Sequence, residues 1–269
     1  MGSSPTSSRF LYLHEDRSPT AYEPIYRSFE PSLYVPRIGL HGFLGPAHEG
    51  VPDAVADIHG KLMPGDQYKL YEAAYFARGA ILEVGRLHGK STAILAMGLR
   101  DGRAAGRDGT GPGMNDPGTN EPGTNDRGTG GPLYSVELND KYQPIAEAHL
   151  RERGLLELVT LLRGDSSATI SALPGRFDTV FIDGDHSYEG FTRDLQALDG
   201  RIEPGGVAMF HDCFHPSNET GGYGVSRALR ERAEQLGLAY RGRFGGMALY
   251  EQVGCEVGCK VGCAPAPPG

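Results

Sequence analysis

Nowhere does this sequence run ~18 apolar residues together, the length a membrane span needs, and its opening MGSSPTSSRFLYLHEDRSPT holds no apolar stretch of signal-peptide length. Neither a membrane span nor a secretory leader is expected, and the protein reads as cytoplasmic. Basic runs are missing as well. With a formal net charge of −8 over 269 residues, the surface is not built to neutralise nucleic-acid phosphates, so the expected partners are small molecules. Cysteine is scarce: Cys213 lies in the body of the chain, while Cys255, Cys259 and Cys263 fall in the tail VGCEVGCKVGCAPAPPG. Gly and Pro around those three oppose a helix and no His or fourth Cys stands nearby, so a metal site is not expected there.

What is present is organised as one α/β domain with additions. Residues 1–46 are rich in Pro, Ser and Tyr without a period and read as an irregular arm; its aromatics Tyr22, Tyr26, Phe29 and Tyr34 suit a lid or an oligomer contact, and a homo-oligomer is expected. The domain itself is expected over 47–252, with a flexible tail over 253–269. Within it, Asp101–Pro132 repeats NDPGT, NEPGT and NDRGT and cannot bury a core, so it reads as a surface insertion. Elsewhere apolar runs alternate with helical patterns: strands at Ala80–Val84 and Leu133–Leu138 and in VTLLRGD, DTVFID and PGGVAMFHD, with helices between them, one of them at Lys90–Arg100. A last helix, SRALRERAEQLG, precedes the strands LAYRGRF and MALYEQ. That order predicts a Rossmann-like, doubly wound, mostly parallel seven-stranded sheet with an antiparallel C-terminal edge strand, whose ligand lies beyond the carboxyl ends of the strands.

The stretch ILEVGRLHGKST is a strand, a glycine turn and a helix start, which aims backbone N–H groups at a ligand. Three residues separate Gly85 from Gly89, one too few for a P-loop. A dinucleotide fingerprint would put glycine where Glu83 stands, and a carboxylate repels a pyrophosphate. Glu83 suits a cation instead, and S-adenosylmethionine carries an ammonium and a sulfonium with no phosphate. Glu137 lies 54 positions after Glu83, and 22 once the 32 residues of the insertion are set aside, which is the spacing expected of a ribose-binding acid. The next strand end, GDSS, places Asp165 and Ser166 to meet the adenine, with Asp165 as acceptor for its amino group. Gly85, Gly89 and Ser91 complete the candidate cofactor set.

In this order EVGRLHGKS, VELND, RGDS, FIDGDHSYEG and EPGGVAMFHD resemble class I S-adenosylmethionine-dependent methyltransferases, over roughly Tyr68–Glu251. FIDGDHSYEG followed by FHD is similar to the branch that includes the macrocin and mycinamicin sugar O-methyltransferases. The resemblance implies a magnesium ion held by Asp183 and Asp212, with His186 as catalytic base. The relatives pair two adjacent carboxylates at the later strand end, where this chain has His211 beside Asp212; the carried-over ligands are Asp183 and Asp212, and His211 is a candidate third that reads equally as their support. The chemistry fits the residue types: an aliphatic hydroxyl is a poor nucleophile, a hard cation stabilises its alkoxide and an imidazole takes its proton. Asp183 also borders the cofactor.

Two further groups read either way. Asp185 suits a helix cap as well as a site, and His215, Asn218 and Glu219, in the loop FHPSNETGGY, suit substrate hydroxyls as well as a solvated surface. The expected activity is methyl transfer to a hydroxyl of a small molecule, glycosylated or not, such as a sugar on a natural product of the antibiotic class. The rival readings are a P-loop-like phosphotransferase with Asp183 holding magnesium, and a non-catalytic binding protein on the same fold.

Overall fold

The computed structural model describes residues 50–104 and 131–253; the expected arm, most of the insertion and the tail beyond Val253 lie outside the described residues. Two helices come first, α1 (Val51–Ala54) and α2 (Pro64–Phe76). Pro64 opens α2 at a position where its missing N–H is not needed, and the Asp66 carboxylate accepts the free N–H of Met63 at 2.7 Å. The chain continues through β1 (Ala80–Val84), α3 (Lys90–Ala104), β2 (Leu133–Glu137), α4 (Gln143–Glu152), β3 (Val159–Arg163), α5 (Ser166–Ala172), β4 (Phe177–Ile182), α6 (Tyr188–Ala197), β5 (Ile202–Phe210), α7 (Val225–Arg232), β6 (Leu238–Phe244) and β7 (Met247–Gln252). No helix among the described residues is long and apolar enough to cross a membrane.

The strands form one seven-stranded sheet in the order β3-β2-β1-β4-β5-β7-β6. The pairs from β3 to β5 are parallel, and β7 runs antiparallel between β5 and β6, so the closing hairpin makes that edge of the sheet. Strand residues alternate between two cores. Ile81 and Phe181 enter one, shared with α2 and α3; Leu82, Val84, Val180 and Ile182 enter the other, shared with α6 and α7.

Chain order reverses at β1, whose neighbours are β2 and β4, and this is the place where an open parallel sheet leaves a crevice beyond its carboxyl ends. Backbone pairing continues past the strands and aligns the loops at their carboxyl ends. Gly85 donates to the Val136 carbonyl at 2.9 Å, Asp183 to that of Val84 at 2.8 Å and His211 to that of Ile182 at 3.0 Å. Three loops are thereby held side by side at one rim. Helix α3 runs to Ala104, four residues past its expected end: Gly102 and Gly98 let it pack on α2, where a Cβ would stand 2.2 Å from the Tyr75 carbonyl oxygen and 2.4 Å from that of Tyr71.

Candidate active site

A cavity of about 600 Å³ opens beyond the carboxyl ends of β1, β2, β3, β4 and β5. Of the expected cofactor residues, Gly85, Glu137, Asp165, Ser166 and Asp183 line it; His186, His211 and Asp212 line it as well. Glu83, Gly89 and Ser91 do not, and each has a physical reason. Glu83 leaves β1 on the same face as Ile81 and is fully buried under α3, where its Oε2 accepts from Thr92 at 2.6 Å and from Ser135 at 2.5 Å. Burial raises its pKa, and hydrogen bonds from Ser135, Ser91 and Thr92 oppose the rise. Ser91 thus serves Glu83. Gly89 has φ +89°, and a Cβ there would sit 3.0 Å from that of Ala146, so glycine serves the packing of the loop against α4.

The loop that does face the cavity is tightly fixed. At Gly85, φ is +87° and a Cβ would lie 2.0 Å from the Asp183 carbonyl oxygen, so only glycine brings β1 and β4 this close. Leu87, with φ +49°, turns its N–H to Glu137 Oε2 at 3.0 Å, and Asn139 donates to Oε1 at 2.9 Å. Each Glu137 oxygen keeps a lone pair for a ligand. Arg86 is buried beneath, its Nη1 donating to the Ser135 carbonyl at 2.6 Å and to that of Leu162 at 3.3 Å. Arg86 thereby stitches the glycine loop to β2 and β3.

Two imidazoles and two carboxylates meet at the other end of the rim. His186 Nε2 lies 3.2 Å from Asp183 Oδ1 and 3.3 Å from Asp212 Oδ2. His211 Nδ1 lies 3.1 Å from the same Asp183 oxygen and 3.6 Å from Asp212 Oδ1, while its Nε2 faces Asp66 Oδ2 at 3.4 Å. Asp66, on α2, is fully buried and also accepts from Gly246 at 2.8 Å. Burial alone would lower the His211 pKa, but the carboxylates of Asp183, Asp212 and Asp66 around the ring outweigh it and push the value up to about 12, so the ring is cationic at neutral pH. For Asp183 burial works upward, yet hydrogen bonds from His186 and His211 hold the carboxyl below its usual range; at Asp212 burial is likewise outweighed, chiefly by His211. Asp212 has φ +54°, a strained backbone for a non-glycine residue and one found at sites of this kind.

The ligand atoms of Asp183, His186 and Asp212 all lie within 4.8 Å of one another, so the converging trio contains His186 rather than the candidate third ligand His211. Magnesium prefers an all-oxygen shell, and this set offers a nitrogen. Besides that, the Asp183 oxygen that would face the ion is already in contact with both imidazoles. Two carboxylates and an imidazole are thus a mixed oxygen and nitrogen set, less suited to magnesium than an all-oxygen shell, and the His211 ring already stands against both carboxylates.

Around this cluster, several residues do other work than the sequence suggests. Asp165 caps α5, accepting from Ala168 at 3.0 Å and Ser167 at 2.7 Å, and Asp185 accepts from Ser187 at the entry to α6. Asn218 is consumed in its own loop, donating to the Asp212 carbonyl at 2.8 Å and accepting from Ser226 at 3.0 Å; His215 accepts from Ser217. Tyr223 stacks on His186 at 4.6 Å with 19° between the rings, and Gly224 donates to the His186 carbonyl at 2.8 Å. Asp66, Asp194 and Leu138 belong to the site or its support and do not stand out in the sequence. Only Leu138 carries a usable signal there, a large apolar residue just after the strand-end acid.

Comparisons with known proteins bear on the fold that carries this site. Residues 82–213 match a family model described as a methyltransferase domain. No curated protein matches the sequence. Among solved structures, a cofactor-bound Rv0187 from MTB is 22% identical, with a TM-score of 0.53 over 78% of this chain and 90% of that one. An O-methyltransferase from Bacillus cereus in complex with SAH is 19% identical, with a TM-score of 0.51 over 78% and 91%. TomG from Streptomyces achromogenes, an O-methyltransferase of tomaymycin synthesis in complex with SAM, is 20% identical, with a TM-score of 0.50 over 78% and 91%. At these identities the likeness speaks for the fold. Residues 82–213 are thus similar to a methyltransferase domain, and the described chain shares the Rossmann-like fold of these solved structures.

Proposed function

We propose that this chain moves the methyl group of S-adenosylmethionine to a hydroxyl of a small molecule, with His186 taking the hydroxyl proton. One arrangement carries the reading: His186 is fixed at the cavity by Asp183, Asp212 and Tyr223, on the same rim as the Gly85 turn and Glu137. Glu137 has lone pairs to accept from ribose hydroxyls. Leu138, 71% exposed and lining the cavity, offers an apolar face to a purine.

In the reaction the methyl C–S bond breaks as the C–O bond forms in line, leaving S-adenosylhomocysteine, and the hydroxyl proton passes to His186. With Nε2 donating to the two carboxylates, Nδ1 is the ring atom left with a lone pair, and Asp183 and Asp212 stabilise the imidazolium that forms. No step is assigned to magnesium. The rim is rich in acceptors at Asp183, Asp185 and Asp212, which suits a polyhydroxylated acceptor such as a sugar on a natural product. Glu83, buried under α3, acts as a brace for the loop rather than as a cofactor ligand.

Calorimetry with S-adenosylhomocysteine and ATP separates this reading from a phosphotransferase: the first is expected to bind and the second not. A mass-spectrometric screen of glycosides and other hydroxyl compounds is then expected to show a gain of one methylene, unchanged by chelator. His186→Ala is expected to abolish that gain while leaving the affinity for S-adenosylhomocysteine unaltered. ATP binding, or turnover lost on chelation and restored by magnesium, would overturn the respective part.

A further inference from the structure

The loop between β5 and α7, residues 211–224, lies against His186 and is held from within by a side chain that the proposed reaction leaves unused. Asn218 is half-buried at the end of a short turn, Pro216–Asn218, and stands outside the cavity lining. Its Nδ2 donates to the Asp212 carbonyl at 2.8 Å, to that of His215 at 2.9 Å and, more weakly, to that of Cys213 at 3.3 Å. Its Oδ1 accepts from the Ser226 N–H at 3.0 Å, in the first turn of α7. Both amide protons and the amide oxygen are thus spent on backbone, and they tie the two ends of the loop together.

Two of the groups that hold His186 hang on this loop. Asp212, whose Oδ2 lies 3.3 Å from His186 Nε2, has φ +54°, a conformation that persists only where its surroundings fix it. The bond from Asn218 lands on the carbonyl of that same residue. Farther along, the Ser217 carbonyl in the Asn218 turn accepts from the Tyr223 N–H at 2.9 Å, across Gly221 and Gly222, which by themselves give the chain little direction. Tyr223 thereby stacks on the face of His186 at 4.6 Å, with His215 tilted against its other face at 4.8 Å.

We infer that Asn218 is a positioning residue: through the loop it sets the Asp212 carboxylate at one edge of His186 and the Tyr223 ring on its face, and so aims the imidazole. This rests on the reading of His186 as the base. In NMR spectra of the wild-type protein, the carbon-bound ring protons of His186, identified by their loss in His186→Gln, are expected to be shifted upfield by the Tyr223 ring. The shift is expected to disappear in Asn218→Ala and in Asn218→Asp, which keeps the acceptor for Ser226 and loses the donor. With an acceptor from the mass-spectrometric screen, kcat and kcat/KM are expected to fall together at least ~10-fold in both variants, with the affinity for S-adenosylhomocysteine within about threefold of wild type. Thr220→Ala, which removes an exposed hydroxyl's bond to the same Ser217 carbonyl, is expected to change none of these. S-adenosylhomocysteine failing to bind the wild-type protein would overturn the functional reading and the role of the base with it. A wild-type spectrum without the shift, or Asn218 variants that keep the shift or keep kcat while S-adenosylhomocysteine binds, would overturn this inference alone.

Discussion

A His211 that keeps its proton in the folded state gives the fold a pH dependence of definite sign. Its pKa is about 12 in the folded protein, against 6.5 for the free side chain. Above pH 6.5 the unfolded chain releases this proton while the folded chain keeps it, so the stabilisation is complete below 6.5 and is lost as pH rises toward the folded value. The slope for one proton is about 1.4 kcal/mol per pH unit, or roughly 2 kcal/mol between about pH 7.5 and 9.0. Asp183 and Asp212, whose pKa values are lowered, act at the other end of the scale. Their contribution is in place above pH 3.8, is lost as pH falls, and is flat in this window. Urea unfolding at several pH values reads the slope, and His211→Gln supplies the comparison. The variant loses the charge between three carboxylates and is less stable throughout, but only the difference in slope matters, since every other titrating group is common to both proteins. Wild-type and variant slopes that agree within ~0.3 kcal/mol per pH unit would refute the fixed-cation argument.

Removing the support behind that cation is also costly. Asp66→Ala strands the N–H groups of Met63 and Gly246 and leaves His211 Nε2 without its carboxylate, an expected loss of about 3–5 kcal/mol in urea unfolding, with Asp66→Asn recovering part of it. Gly85→Ala forces a Cβ to 2.0 Å from the Asp183 carbonyl oxygen at φ +87°; a loss of about 3 kcal/mol, read as a lowered melting temperature, is expected together with lost cofactor binding. Glu83→Gln, by contrast, is expected to leave the affinity for S-adenosylhomocysteine within about threefold, whereas Glu137→Ala weakens it at least ~10-fold, the weight of one charged hydrogen bond. A calorimetric titration of both variants distinguishes brace from ligand.

How far the sequence can be read depends on whether the deciding contact is local. Strands β1, β6 and β7 lie where expected to the residue, because apolar runs there are bounded by Gly79 and Gly85, by Gly237, and by Gly245 and Gly246. The end of α3 is misjudged from sequence because Gly102 looks like the start of a loop, while its role, close approach to the Tyr75 backbone, is set by a helix from elsewhere in the chain. Glu83 misleads for a related reason. A strand-end acid points to ligand or to core according to which face its side chain leaves, and a shift of one residue exchanges the two. Glu137, the true end of its strand, escapes that ambiguity because the turn after β1 supplies an N–H to hold it.

The departure at His211 shows what a family pattern leaves undetermined. FIDGDHSYEG and FHD place Asp183, His186 and Asp212 together through backbone pairing, and that much comes from β4 and β5 lying side by side. The sign of the charge at the next position is not contained in the pattern. A carboxylate there would leave the cluster in need of an external cation; an imidazole anchored on Asp66, 145 positions upstream, supplies that cation from within the chain. The partner that decides between the two lies on α2, which no local motif connects to FHD. Its position comes from the same packing of α2 against the sheet and the β6–β7 turn that buries Asp66 completely. Charge balance at the rim is thus a consequence of tertiary structure, and it leaves His186, held on Asp183 and Asp212, as the imidazole that the proposed reaction uses.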